Sequence, residues 1–284
     1  MASGRLFLVS ALCVGAAACA NIPGPEVVND EDPLMSDNGL SSNGLSSNGL
    51  SSNGLSSNGL SSNGLSSNGL SSNGYVMGAL QDKSATGDLT RMFFRYLISC
   101  ALPGGHSTTY TWTDAAGTLH TEVNPGGLGL APHWETGAAT QTDKELVSAC
   151  LAARTNALGV HVPISMRAKG VAALAVTSAE RSSYTFGEGA FWGNLFNGGS
   201  PYLYSCSRDA FNAGPDTSQY TSQGRTCTTS ACGIIKPVGP CYVANVTTGQ
   251  ACYEQNADWT ANCSSAMNKA TQGTSNVIAT WLMP

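Results

Sequence analysis

Residues 40–74 read Leu-Ser-Ser-Asn-Gly seven times without a substitution, and Ser36-Asp37-Asn38-Gly39 leads in as a degenerate copy. No other stretch constrains the chain so strongly. Asn-Gly is a strong turn pair, and Ser-Ser adds no apolar burial. One leucine per five residues contributes at most about 2 kcal/mol when buried. Ordering five backbones costs about 5–10 kcal/mol. Alone, the repeat is therefore expected to be disordered. As a coil it would span roughly 30–35 Å, and fully extended about 120 Å. It divides the chain into a targeting segment upstream and a domain downstream.

Upstream, Arg5 is followed by a mostly apolar stretch at 6–18 that ends Ala16-Ala17-Ala18-Cys19. The stretch suits the apolar core of a signal peptide and is too short to span a bilayer. Small residues before a cysteine resemble a bacterial lipobox, in which Cys19 becomes the lipidated first residue. Ala16 stands where that motif usually has leucine. The alternative is plain secretion after cleavage at an Ala-x-Ala site. Lipidated Cys19 would make the membrane a partner, since each buried methylene contributes about 0.8 kcal/mol. Ala20, and not Asp, follows Cys19, and by resemblance to sorting rules of two-membraned bacteria this favours the outer membrane or cell surface. Leucine at every fifth position also looks like pentapeptide-repeat β-solenoids. Seven units, however, give too few stacked layers to bury a solenoid face.

Charged residues make up 11% of the 284 residues, against roughly 25% in ordinary soluble domains. Five of the 18 acids precede the repeat, and from residue 81 onward 13 acids face 12 Lys and Arg. The domain is thus nearly neutral and has no basic patch, which argues against nucleic acid as a partner.

Residues 87–102 carry Leu89, Met92, Phe93, Tyr96, Leu97, Cys100 and Ala101 at helical spacing, with Asp88 as the expected cap. Thr108, Tyr110 and Trp112, then Leu119, Thr121 and Val123, alternate around a turn and predict a hairpin. Thr142 to Glu145 has the form of a capping box opening a second helix, closed by Gly159. Each helix presents a cysteine on its apolar face, Cys100 and Cys150, and in an oxidising compartment these are expected to pair. Val160 to Met166 alternate as a strand, and Pro163 suggests a sheet edge. Between 95 and 167 the chain carries an RYL-x-x-CAL helix, a GLGLAP loop, an SAC-x-x-A-R-x-N helix and a strand with SMR. With these motifs it resembles a set of uncharacterised secreted lipoproteins of gliding soil bacteria, several with Asn-Gly-Leu tethers. The resemblance implies export and no assigned activity.

Seven of the 21 aromatic residues lie between 184 and 204. Phe191, Trp192 and Tyr202 are candidates for a platform that stacks on sugar rings. The alternative is that these rings fill a core poor in aliphatic side chains. Cys206, Cys227, Cys232, Cys241, Cys252 and Cys263 follow within 58 residues. Their gaps lack paired zinc-site spacing, so all six are expected in disulfides whose connectivity stays open. No metal or other cofactor is expected.

No nucleophile elbow, zinc-protease helix, phosphate loop or dinucleotide fingerprint is present. The candidates for catalysis are a doubled His-x-Glu, His120 with Glu122 and His133 with Glu135, and the glycine-flanked Glu188. The sequence therefore predicts an α+β fold, a disulfide-stapled extracellular domain after a disordered low-complexity tether. Its expected divisions are 1–19 signal peptide, 20–86 tether, 87–182 an α+β part, and 183–284 an aromatic, cysteine-rich part. The function expected is a lipid-anchored surface protein presenting a binding or structural domain for glycan, cell-wall polymer or a surface protein. The alternative is an extracellular hydrolase using histidine and glutamate.

Overall fold

The structure is a computed structural model that describes residues 40–42, 45–46, 69–70, 78–156, 162–197, 200–208, 227–228, 232–243, 249–265 and 273–283. The expected signal peptide, Cys19 and the acidic segment lie outside the described residues. Helix α1 (Ala85–Ala101) begins where the Ser84 hydroxyl accepts the Thr86 amide, and buries Phe93, Phe94, Leu97, Ile98 and Cys100. Asp88 is in its first turn, paired with Arg91, and is not the cap. Strands β3 (Ser107–Thr113) and β4 (Leu119–Pro125) form the expected hairpin. A 3-10 turn at Pro132–Glu135 leads to α2 (Gln141–Ala153). Its capping box is Thr140 with Asp143, two residues before the expected one. Either start satisfies the same orphan amides, so sequence alone left a choice. The apolar run at 171–176 is a short 3-10 turn, Ala172–Leu174, and α3 (Ser178–Ser183) follows.

Six strands build the main sheet: β1 (Leu40–Ser42), β6 (Pro163–Arg167), β7 (Phe186–Asn194), β8 (Tyr202–Ser207), β9 (Ile235–Pro240) and β12 (Ile278–Leu282). Their order is β1-β6-β12-β7-β8-β9, antiparallel except for the parallel pair β8–β9. Three two-stranded sheets complete the fold: β3 with β4, β10 (Cys252–Gln255) with β11 (Thr260–Cys263), and β2 (Leu45–Ser46) with β5 (Thr155–Asn156). The fold is α+β, as the sequence predicts. Strands from both sides of residue 183 share one sheet.

One face of the sheet packs against α2, and α2 in turn packs against α1. Phe191, Leu195, Leu203, Ile235, Ile278 and Ile164 join Phe93, Leu97, Val147 and Leu151 in a large core. The other face carries a second, smaller core of Ala190, Trp192, Cys206, Cys241, Ala251, Cys252, Cys263, Val277 and Ala279. Cys100 pairs with Cys150, linking α1 to α2 as expected. The six later cysteines pair Cys206–Cys241, Cys227–Cys232 and Cys252–Cys263.

Parts of the repeat are built into the domain. Leu40, Ser41 and Ser42 pair antiparallel with Ser165, Ile164 and Pro163, so β6, expected as an edge, has a neighbour on each side. Leu45 and Ser46 pair in parallel with Thr155 and Asn156. Leu70 is fully buried, and its amide donates to the Trp134 carbonyl at 2.8 Å. At these positions the expected tether thus pairs with the domain. The ordering cost that disfavours the isolated repeat is offset where its units add to strands already formed.

A charged cluster ties β6, α3 and β12 together. Arg167 donates to Ser165 and to the Tyr184 carbonyl, and Ser165 donates to Glu180 at 2.6 Å. The guanidinium groups of Arg167 and Arg208 lie 4.3 and 4.4 Å from the Trp281 ring centroid. Burial raises the Glu180 carboxyl above its ordinary range, against the Ser165 hydrogen bond and the Arg167 charge.

Candidate ligand-binding site

Strand periodicity puts Tyr202 and Tyr204 on the same face of β8. Both are half-buried, between the buried Leu203 and Ser205. Across β7, Trp192 pairs with Tyr204, and across β9 the exposed Lys236 does. The rings form a short tilted series, with Tyr202 5.8 Å from Tyr204 and Tyr204 6.1 Å from Trp192. Trp192 is only 2% exposed and belongs to the second core, so it braces the tyrosines from below. Burial, then the charge of Glu145, raises the Tyr202 phenol. Glu145 accepts hydrogen bonds from Thr274 at 3.0 Å and Asn276 at 2.7 Å. The result is a pair of partly open aromatic rings held by a rigid strand. The raised Tyr202 phenol stays protonated at neutral pH.

Of the three expected platform rings, Phe191 is fully buried and lies in the first core. Phe191 and Trp192 therefore offer no face to a ligand, and only Tyr202 keeps that potential. Tyr204 and Lys236 were missed. The Tyr-x-Tyr alternation was the available signal for Tyr204, whereas Lys236 reaches the strip only through the β8–β9 pairing, which sequence does not reveal.

The catalytic candidates are distributed. His120 pairs with Asp114 at 2.9 Å, and its ring stacks on Trp112 with centroids 4.5 Å apart. Glu122 accepts from the Trp112 indole at 3.3 Å and faces Arg95 at 3.6 Å. Arg91 covers Trp112, 3.6 Å from the ring centroid. This ladder fastens the hairpin to α1. The hydrogen bond from His120, followed by the Thr118 amide, lowers the Asp114 carboxyl. His133 pairs with Asp143, the capping residue of α2, at 2.6 Å. Glu135 pairs instead with His106 at 2.8 Å. Glu188 is buried and accepts from Thr280 at 2.7 Å. Neither His-x-Glu thus joins its own histidine to its own glutamate. Each histidine has a carboxylate partner from elsewhere, a signal the His-x-Glu spacing did not carry. Among the described residues no group of three or more His, Cys, Asp or Glu is placed to hold a metal.

No helix among the described residues is long and apolar enough to cross a membrane. Four disulfides indicate an extracellular or otherwise oxidising environment. No curated protein and no solved structure matches the chain. Residues 37–61 and 54–76 match the GLTT repeat, in six copies.

Proposed function

We propose that the chain is an exported, lipid-anchored surface protein whose domain binds a neutral glycan or cell-wall polymer through Tyr202 and Tyr204. The carrying observation is the tilted, half-buried tyrosine pair beside Trp192. Aromatic faces stack on sugar rings with little loss of side-chain freedom. Lys236, Asn276 and Thr274 would supply hydrogen bonds to hydroxyls. Cys19 at the end of the apolar leader supports the anchor, and the disulfides support export. The hydrolase alternative has less support, because its candidate groups pair separately and do not converge.

The test is binding of the full chain to purified cell-wall polysaccharides, measured by calorimetry and by co-sedimentation. Each ring contributes about 0.5–1.5 kcal/mol beyond its area, so Tyr202→Ala with Tyr204→Ala should weaken binding by roughly 5- to 150-fold. Unchanged binding by that double variant would overturn the tyrosine site. Release of soluble sugar by the wild type, lost in Glu188→Gln, would replace the binding reading with the hydrolase. For the anchor, Cys19→Ala should abolish incorporation of labelled palmitate.

A further inference from the structure

The described repeat residues occupy three places on the domain. The first unit lies along β6, the second lies along β5, and Gly69-Leu70 docks beside Trp134. The three slots need very little from their occupant. The β6 slot takes a Leu-Ser-Ser tripeptide by main-chain pairing, and the β5 slot takes Leu-Ser. Main-chain pairing reads backbone geometry and not side-chain identity. The third slot is stricter. A Cβ on Gly69 would stand 2.5 Å from the Glu135 carbonyl oxygen and 2.5 Å from the Thr136 Cα, so only glycine fits. The next residue, Leu70, is fully buried. The slot therefore reads Gly-Leu.

All three requirements are met by every unit. Leu-Ser-Ser occurs seven times between 40 and 72, and Gly-Leu seven times between 39 and 70. A five-residue shift of either repeat segment by itself, forward for the units along β6 and β5 or backward for the Gly-Leu unit, puts the same residue types into the same slots. The registers then differ only in the lengths of the connecting loops. Doubling a loop changes such an equilibrium by only about threefold.

We infer that the three slots are binding sites for the LSSNG unit as such, and that any of the seven copies fills them. The domain then sits at variable distances along its own repeat. Each five-residue step changes the length of chain between the N-terminal segment and the domain by up to about 18 Å. Identity of the copies is what such a device requires, since one divergent unit would block its own register. The inference is independent of the tyrosine site.

The test uses the full chain, with hydrogen exchange of segments 131–136 and 163–167 and thermal unfolding as readouts. Leu70→Ser alone, and Leu40→Ser with Leu45→Ser, should leave both readouts at wild-type values, because neighbouring copies move in. Serine at all seven leucines should raise exchange in 131–136 by about tenfold or more and lower Tm, while 163–167, whose slot reads main chain alone, changes little. Two six-fold variants, one keeping only Leu55 and one keeping only Leu70, should behave alike. The pair decides the matter even if the seven-fold variant does not fold. The inference fails if Leu70→Ser alone matches the seven-fold variant, or if only the chain keeping Leu70 retains protection. It also fails if the seven-fold variant folds and matches wild type.

Discussion

On the helical face of the sheet, Phe93, Phe94, Leu97, Val147, Leu151 and Phe191 fill a core with large side chains. On the opposite face, four of the nine buried residues are half-cystines, three are alanines, and Trp192 is the single ring. The first face gains its stability from apolar area, about 25 cal/mol per Å² removed from water. The second has little area to remove, and it depends on cross-links that restrict the unfolded chain. Cys206 and Cys252, from separate disulfides, have their sulfurs 3.8 Å apart, so the two staples also pack as core. The contrast is a physical version of the compositional shift after residue 200, where aliphatic residues thin out and cysteines crowd. It also explains the placing of the tyrosine strip. Where staples replace bulk, rings need not be fully covered to keep the sheet intact.

Substitutions can break this contrast. Cys206→Ala with Cys241→Ala should have the largest effect. Closure of a 35-residue separation contributes about 4 kcal/mol, and loss of the packed sulfurs adds to it. Urea unfolding should show that loss, with hydrogen exchange rising first in β10 and β11 while α1 stays protected. Equal exposure of both faces would mean that the second core is not separately stapled. Leu97→Ala should come next, at about 3 kcal/mol, because the packed site cannot collapse fully. Hydrogen exchange should then rise first in α1 and α2 while β10 and β11 stay protected, which distinguishes the two cores.

Titration sharpens the comparison at the junction. The Glu180 carboxyl is raised in the folded state. A raised folded pKa means that the neutral form is favoured by folding. The stability this group contributes is therefore full below the unfolded carboxylate pKa and is lost as pH rises through the folded one. Thermal scans from pH 4 to pH 7 should show a declining contribution that Glu180→Gln removes. The smallest effect is expected at Asp114, on the hairpin, whose carboxyl is lowered by His120. Its contribution is present above the unfolded carboxylate pKa and is lost as pH falls through the folded one. Asp114→Asn should flatten the acid limb of the Tm profile slightly, without changing either core.

The parts legible in the sequence are those set by neighbours along the chain. The period of Phe93, Leu97 and Cys100 located α1, and the alternation around Asp114 located the hairpin. Two cysteines on two apolar helix faces gave Cys100–Cys150, because each helix has one inward side. The six later cysteines offered no such geometry, and their pairing depends on how β8, β10 and β11 meet in space. The same limit explains the site. Tyr202 was legible as one ring of an aromatic run, whereas the burial of Phe191 depends on which face meets the helices. It also explains the repeat. Its poor local stability was correctly read, and what was not visible was a set of partner backbones at Ser165, Thr155 and Trp134.

One consequence of the strand order concerns the timing of folding. Strand β12 is the last in the chain, yet it lies between β6 and β7 and carries the seam of the sheet. Until residues 278–282 emerge, β6 and β7 have no common neighbour, and neither core has its full floor. Such long-range pairing is slow because loop closure precedes its reward. A chain emerging N-terminus first therefore stays open along its central seam until residues 278–282 have appeared.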